Sequence, residues 1–345
     1  MVKVKSAKGM IEGRTTDRWR ASENKEAMGL TMPDVQESEI TICPACERPS
    51  PMKYLSAPDR YHGRRKIYDL VRCRSCSLVW LRNAPTPTEM GAHYGPDYDR
   101  SVAAAGEEPN RWQGRWNVLS QYKTGGAILD LGCSSGGFLA GLTRSSWRLH
   151  GIEMSEDVAM RAREKSGAEI FVGDILDAPF HRESFDAITC FHVLEHLYQP
   201  GEIFKRVSEW LKPGGIFYLM VPNIDSAGCH IFKSYWYALE LPRHLSHFSP
   251  KSLRTLAELG DLETVSVTTD REVFIEASTR YILDDVLRKI GINRTPLAQA
   301  RRPGIPFRAV RKGFRMTILP VLNGLASLAG DGESVHAIFR KKKSK

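Results

Sequence analysis

Three acids, four cysteines and four histidines are the positions whose types and spacing suggest chemistry. The run Ile128-Leu129-Asp130-Leu131-Gly132-Cys133-Ser134-Ser135-Gly136-Gly137-Phe138-Leu139 reads as a strand, a turn of small residues and a helix start. Small residues suit a place where backbone must approach a ligand closely. Such a turn is a weak signal alone, shared with dinucleotide-binding folds and with tight turns that hold no ligand. Two acids sharpen it. Asp130 ends the strand, where a carboxylate can meet an ammonium group. Glu153 ends the next strand, roughly 20 residues after Gly132, where an acid can take both hydroxyls of a ribose. Asp174 closes a third strand and is placed to receive an adenine amino group. Acids at three consecutive strand ends would line one crevice, where open α/β sheets bind ligands.

The cysteines point elsewhere. Cys43-Pro44-Ala45-Cys46 and Cys73-Arg74-Ser75-Cys76 are two knuckles. Two thiolates two residues apart grip one metal, and two knuckles complete a tetrahedral site. Their separation leaves room for a hairpin between them. This predicts a structural zinc on Cys43, Cys46, Cys73 and Cys76, closed by four protein ligands and therefore without chemistry of its own. A redox role is the rival, but one pair would serve it and no thioredoxin-like context is present.

The elements that must position these residues follow from periodicity. From Ala127 the chain alternates strand and helix, which predicts an α/β fold with a Rossmann-like, doubly wound sheet. Strands are expected over Ala127–Leu131, Arg148–Glu153, Glu169–Val172, Phe185–Phe191, Gly215–Val221 and Glu263–Thr269, with a returning strand over Ser334–Lys341. Helices are expected over Gly136–Ser145, Glu156–Ser166, Gly201–Leu211 and Ser249–Leu259. Residues 1–40 read as a disordered tail, with Met28 or Met32 as alternative starts, and residues 41–84 as a zinc-ribbon-like module with little else to build a core. Residues 85–125 form a linker and helical lead-in, 126–269 with 334–341 the main domain, and 270–333 an insertion.

The 345 residues, 42% of them apolar, suffice for one α/β domain and a smaller module. The first forty residues lack the apolar segment of a signal peptide. No run approaches the roughly 20 apolar residues that span a bilayer. Seven cysteines without an export signal indicate thiols and metal ligands, hence a cytoplasmic setting. A net charge of +9 asks for an anionic partner: nucleic acid, an anionic membrane or a phosphorylated substrate.

From about Gly126 to Thr269, with Ser334–Lys341, the chain resembles the class I S-adenosylmethionine (SAM)-dependent methyltransferases. The resemblance rests on the turn after the first strand, on Gly151-Ile152-Glu153-Met154-Ser155 and Gly173-Asp174-Ile175, and on Val193-Leu194-Glu195-His196-Leu197. Leu211-Lys212-Pro213-Gly214-Gly215-Ile216 and Val221-Pro222-Asn223 complete it. It implies SAM as cofactor, with Asp130, Gly132, Ser134 and Gly136 at the methionyl part, Glu153 at the ribose and Asp174 at the adenine. Met154 would pack on the adenine face, and Ile175 and His192 would shape the same pocket. Ser134 stands where many members have Gly.

The cysteine module, followed by Leu78-Val79-Trp80 and a Pro-rich linker, is similar to the N-terminal module of some sugar methyltransferases. Their C-methylating members use a Tyr and a Glu-His pair just before a Leu-Ser-aromatic-Phe-Ser stretch. Here Leu241-Pro242-Arg243-His244-Leu245-Ser246-His247-Phe248-Ser249 keeps the histidine but has Arg243 for the Glu and Leu241 for the Tyr. The stretch fits equally the group resembling ubiquinone-type O-methyltransferases. A hydroxyl acceptor would need a base, and histidine suits that task near neutral pH. The order of candidates is His244, His247 and His196.

The acceptor is expected to be a small molecule, a sugar or a lipid-linked compound. Residues 301–329 combine six basic residues with aromatic and apolar ones, which suits peripheral contact with the inner membrane face, a lid or a dimer helix. RNA is the alternative acceptor, but Phe191-His192-Val193-Leu194 replaces the Asp/Asn-Pro-Pro-aromatic turn of amine methylation, and Cys190 follows Thr189 rather than Pro. A non-catalytic protein of this fold is the third reading.

Overall fold

The run Ala127-Ile128-Leu129 lacks polar alternation, the mark of a strand covered on both faces, and it lies in a central strand of a seven-stranded sheet. The structure is a computed structural model that describes residues 41–49, 51–94, 112–143, 145–270, 274–291, 313, 317 and 332–343. In chain order its elements are β1 (Pro51–Pro58), β2 (Ile67–Cys73), β3 (Val79–Leu81), α1 (Pro87–Met90), α2 (Gln113–Tyr122), β4 (Gly125–Leu131) and α3 (Gly137–Ala140). They continue with β5 (Ser146–Glu153), α4 (Glu156–Ser166), β6 (Glu169–Val172), β7 (Phe185–Phe191), α5 (Pro200–Trp210), β8 (Leu211–Pro222) and α6 (Ala227–Phe232). The last are β9 (Ser246–His247), α7 (Pro250–Leu259), β10 (Leu262–Asp270), α8 (Ile275–Lys289) and β11 (Ser334–Lys341).

The large sheet has the order β10-β11-β8-β7-β4-β5-β6. The pairs β4/β5, β5/β6, β4/β7 and β7/β8 are parallel, so the C-terminal ends of these strands share one edge. Only β11 runs against its neighbours β8 and β10. This is the expected doubly wound architecture.

A second sheet, β1-β2-β3-β9, grows from the cysteine module. β1 and β2 form an antiparallel hairpin between the two knuckles. Its fourth strand, Ser246–His247, comes from the far half of the chain and pairs with Val79 and Trp80. The expectation that residues 41–82 hold little core is corrected: Cys43, Val71, Leu78 and Trp80 are buried in one apolar cluster with Leu194, Ile203, Phe204 and Phe248. Few apolar residues suffice because the larger domain supplies the other half of their contacts.

Two further differences have local causes. The helix expected over Gly136–Ser145 stops at Ala140, and the hydroxyls of Thr143 and Ser145 donate to the carbonyls of Ala140 and Leu142. Such side-chain bonds compete with helix continuation. The insertion contains α8, whose residues Ile275, Ser278 and Tyr281 are buried. The tail 1–40 and nearly all of 301–329 lie outside the described residues. No helix among the described residues is long and apolar enough to cross a membrane.

Candidate active site

Parallel pairing brings the ends of β4, β5 and β6 level, with Asp130 opposite Gly151 and Glu153 opposite Val172. Asp130, Glu153 and Asp174 therefore line one cavity of about 910 Å³, together with Gly132, Ser134, Met154, Ile175, His192, His196 and His244.

Asp130 is buried and accepts a 2.7 Å hydrogen bond from the Thr189 hydroxyl. Burial pushes its carboxyl up to about 7, against the opposing pull of that hydroxyl and of the Arg115 guanidinium. Arg115 is a cavity residue that sequence reasoning missed. It is buried on α2, with its guanidinium over the rings of Trp112 and Phe191. Its signal was an arginine set between Trp112 and Trp116 on the helix that leads into β4.

Glu153 accepts backbone hydrogen bonds from Ser134 at 3.0 Å and Ser155 at 3.1 Å, which hold the acid against the turn after β4. Gly132 has φ 65°, and a Cβ there would meet Val193 at 2.5 Å. Ser134 occupies the same left-handed region at φ 51°. Gly136 departs from expectation, since it does not line the cavity. At φ 74° its bare backbone lies against Ala162, which a Cβ would meet at 2.9 Å, so it serves the packing of α4. Asp174 accepts the Leu176 N–H at 2.8 Å. Met154 is 65% exposed at the cavity wall, an apolar surface left open beside the acids.

Three histidines, His192, His196 and His244, gather around Glu195 in the cavity wall. His244 Nδ1 lies 2.8 Å from the Ala238 carbonyl. A carbonyl only accepts, so Nδ1 carries a proton, and in the neutral form of the ring Nε2 holds the lone pair. Nε2 stands 3.8 Å from a carboxylate oxygen of Glu240, which also lines the cavity. Glu240, also missed from sequence, sits in the left-handed region at φ 39° and pairs with buried Arg243. A turn joins them, with the His244 N–H donating to the Glu240 carbonyl at 3.2 Å. His196 Nδ1 is 3.1 Å from both the Tyr94 hydroxyl and the Arg243 carbonyl, and burial together with the nearby His244 pushes its imidazole down to about 4. Glu195 is buried in the cavity wall, 3.4 Å from His192 Nδ1. Burial raises its carboxyl, yet the imidazoles of His192, His196 and His244 outweigh that and hold it down at about 2.

His247 is not at the cavity, which corrects its place as second base. Pairing of β9 with β3 turns it inward, where its Nε2 lies 3.1 Å from the Leu239 carbonyl and burial pushes it down to about 3.

Three clusters of metal-ligand atoms lie within 4.8 Å among the described residues: Cys43, Cys46, Cys73 and Cys76; Glu195, His196 and His244; and Asp59, His62 and His93. In the last, the Arg64 guanidinium lies 2.8 Å from His93 Nδ1, a cation that competes with a metal. The thiols differ. Cys43 and Cys76 Sγ are 3.5 Å apart, Cys46 and Cys73 Sγ 3.6 Å. Thiolates about 2.3 Å from zinc form a tetrahedron with edges of about 3.8 Å, so the four fit the metal. Each knuckle repeats one geometry: Glu47 and Ser77, at the same offset from Cys43 and Cys73, have φ 57° and 67° and donate to those cysteines' carbonyls.

Residues 105–267 match the methyltransferase domain family. The chain is 28% identical over 196 residues to the ubiquinone biosynthesis O-methyltransferase of Hydrogenovibrio crunogenus, covering 55% of this chain and 69% of that protein. It is 25% identical over 205 residues to the biotin biosynthesis bifunctional protein BioHC of Teredinibacter turnerae, covering 54% of this chain but 35% of that one. Among solved structures, Haemonchus contortus phosphoethanolamine N-methyltransferase 2 in complex with S-adenosyl-L-methionine aligns with a TM-score of 0.49 at 19% identity, covering 77% of this chain and 64% of that chain.

Proposed function

Since the chain belongs to the class I SAM-dependent methyltransferases, we propose that it methylates a hydroxyl oxygen of a small-molecule, sugar or lipid-linked acceptor, with His244 as general base. The observation that carries this is the His244 hydrogen bond: Nδ1–H is committed to the Ala238 carbonyl, which leaves Nε2 as the nitrogen that can take a proton on a residue lining the cavity. Bound SAM supplies the electrophilic methyl group. The protein aligns the acceptor oxygen with it and removes a proton at Nε2. Glu153 takes the ribose hydroxyls, Asp174 the adenine amine, and exposed Met154 the adenine face. Asp130 and Arg115, both in the cavity wall, offer one charge of each sign, as an ammonium and a carboxylate on one amino acid require.

The test is a deletion strain examined by untargeted mass spectrometry. An acceptor lighter than the lost product by one methylene should accumulate, and wild type should restore the product while His244→Gln does not, although the variant still binds SAM by calorimetry. Restoration by His244→Gln excludes the base, and failure of the wild type to bind SAM excludes the whole reading.

Sugar C-methylation is a second reading with an observation of its own. Tyr237, Glu240 and His244 all line the cavity, so a tyrosine and a Glu-His pair are present at positions shifted along the chain. A C–CH3 rather than O–CH3 resonance in the product's NMR spectrum would select it. The four thiols are proposed to hold a structural zinc, which supports the cavity through the shared core rather than entering the reaction. A cytoplasmic setting remains part of this reading.

A further inference from the structure

One wall of the cavity is a short segment that cannot hold itself in place. Tyr237, Ala238 and Glu240 line the cavity, and the Ala238 carbonyl accepts the Nδ1–H of His244 at 2.8 Å. The segment is a single tight turn over Tyr237–Leu239, followed by Glu240 in the left-handed region. Turns this short have few hydrogen bonds of their own, in poor geometry, so what sets this wall must come from outside it.

Anchors reach it from later in the chain. The Tyr237 N–H donates to the Ser278 hydroxyl of α8 at 2.9 Å. Trp236, 1% exposed, donates its indole N–H to a carboxyl oxygen of Glu333 at 2.7 Å. Glu333 is 6% exposed and stands just before β11, where its carbonyl accepts the Asn223 N–H at 2.8 Å. Space for the acid is left by Gly228 of α6, where an added Cβ would meet Glu333 Oε1 at 1.7 Å. A buried carboxyl costs free energy that an apolar side chain of similar size would not. What the acid adds is direction, because a hydrogen bond holds the indole at one angle.

We propose that Glu333 is a positioning residue for methyl transfer: through the Trp236 indole it sets segment 236–240, and thereby the His244 ring. Glu333 does not line the cavity, so it acts only through the wall. The link runs from the Glu333 carboxyl to Trp236 Nε1–H, along the backbone to the Ala238 carbonyl, and on to His244 Nδ1. The same wall carries Tyr237 and Glu240, so the contacts offered to an acceptor move with it. The effect on rate rests on His244 as general base, whereas the effect on His244 geometry does not. The acids assigned to SAM lie at the ends of β4, β5 and β6, away from this link.

Nitrogen NMR of histidine-labelled protein at about pH 9, above the ordinary imidazole range, tests the link. The His244 resonances are those missing from His244→Gln. Wild type should show the Nδ1–H tautomer of His244 alone. Trp236→Phe keeps a ring without the donor, and Glu333→Leu removes the acceptor. Both should show mixed tautomers and restore product in the deletion strain about tenfold to a hundredfold less well, the cost of a misplacement of about 1 Å. Glu333→Gln should behave as wild type, since an amide oxygen accepts the same N–H. SAM binding by calorimetry should be unchanged in all three, which shows that the fold is kept; if Glu333→Leu fails that check, Trp236→Phe decides. An unaltered His244 tautomer in Trp236→Phe overturns the proposal, even if the variant melts earlier or yields less product. Full restoration of product by Trp236→Phe and Glu333→Leu overturns it too, as does a loss in Glu333→Gln equal to that in Glu333→Leu. If His244→Gln itself restores product, the general-base reading fails, while mixed tautomers with lowered product in Trp236→Phe still support the positioning of the wall.

Discussion

Asp130 is the residue whose environment makes the most definite demand on solution conditions. Its carboxyl, pushed up to about 7 by burial, is largely protonated below that pH, whereas a ligand ammonium needs the carboxylate. SAM binding must then release a proton, so its dissociation constant should rise as pH falls through about 7, by up to about tenfold per unit. Above that range it should level off until the ligand's own ammonium begins to lose its proton. Calorimetry across pH measures this, and Asp130→Asn should bind weakly with no such slope. A wild-type affinity independent of pH would place the ammonium elsewhere. Ser134 makes the opposite kind of demand. A serine at φ 51° carries a left-handed strain of about 1–2 kcal/mol that glycine does not. Part of the gain is offset by the added freedom of glycine in the unfolded chain. Ser134→Gly should raise thermal stability by up to about 1 kcal/mol, and a lowered melting temperature would contradict the backbone account.

At the scale of elements, the knuckles matter for where they sit. The Pro44 carbonyl accepts a long hydrogen bond, 3.4 Å, from Gly201 in the first turn of α5. Strand β3 pairs on its other edge with β9, the strand that follows His244. The Leu81 N–H donates to the Leu245 carbonyl at 2.9 Å, and the Leu245 N–H to the Glu195 carbonyl at 2.7 Å. The knuckles, β3 and the histidine segment thus form one stack. Elemental analysis should give one zinc per chain, and Cys43→Ser/Cys73→Ser should lose it. Because removing a structural metal withdraws folding free energy, the variant should also melt earlier. Full zinc retention in that variant would disprove the site.

At the scale of the whole molecule, the shared apolar core of Cys43, Trp80, Leu194 and Phe248 predicts one cooperative transition in calorimetry, with the Cys43→Ser/Cys73→Ser variant moving all of it. A separate early transition for the cysteine module would show the two sheets to be independent. The amino-acid sequence determined the strand order's ingredients and three acids at strand ends, because buried strands and tight turns leave local signatures: unbroken apolar runs, small residues, a carboxylate where the strand stops. Knuckle spacing is equally local, so the four thiols were legible as a group. The tertiary structure alone decided which histidine faces the cavity. His244 and His247 are three residues apart on one short segment, and only the pairing of β9 with β3 turns one inward and leaves the other at the wall. Arg115 and Glu240 went unread for the same reason: each depends on packing between segments distant along the chain, or on a turn whose left-handed residue no local pattern announces. Burial, which sets the charge of Asp130 and His196, is a property of neighbours brought in from elsewhere, and periodicity cannot count them.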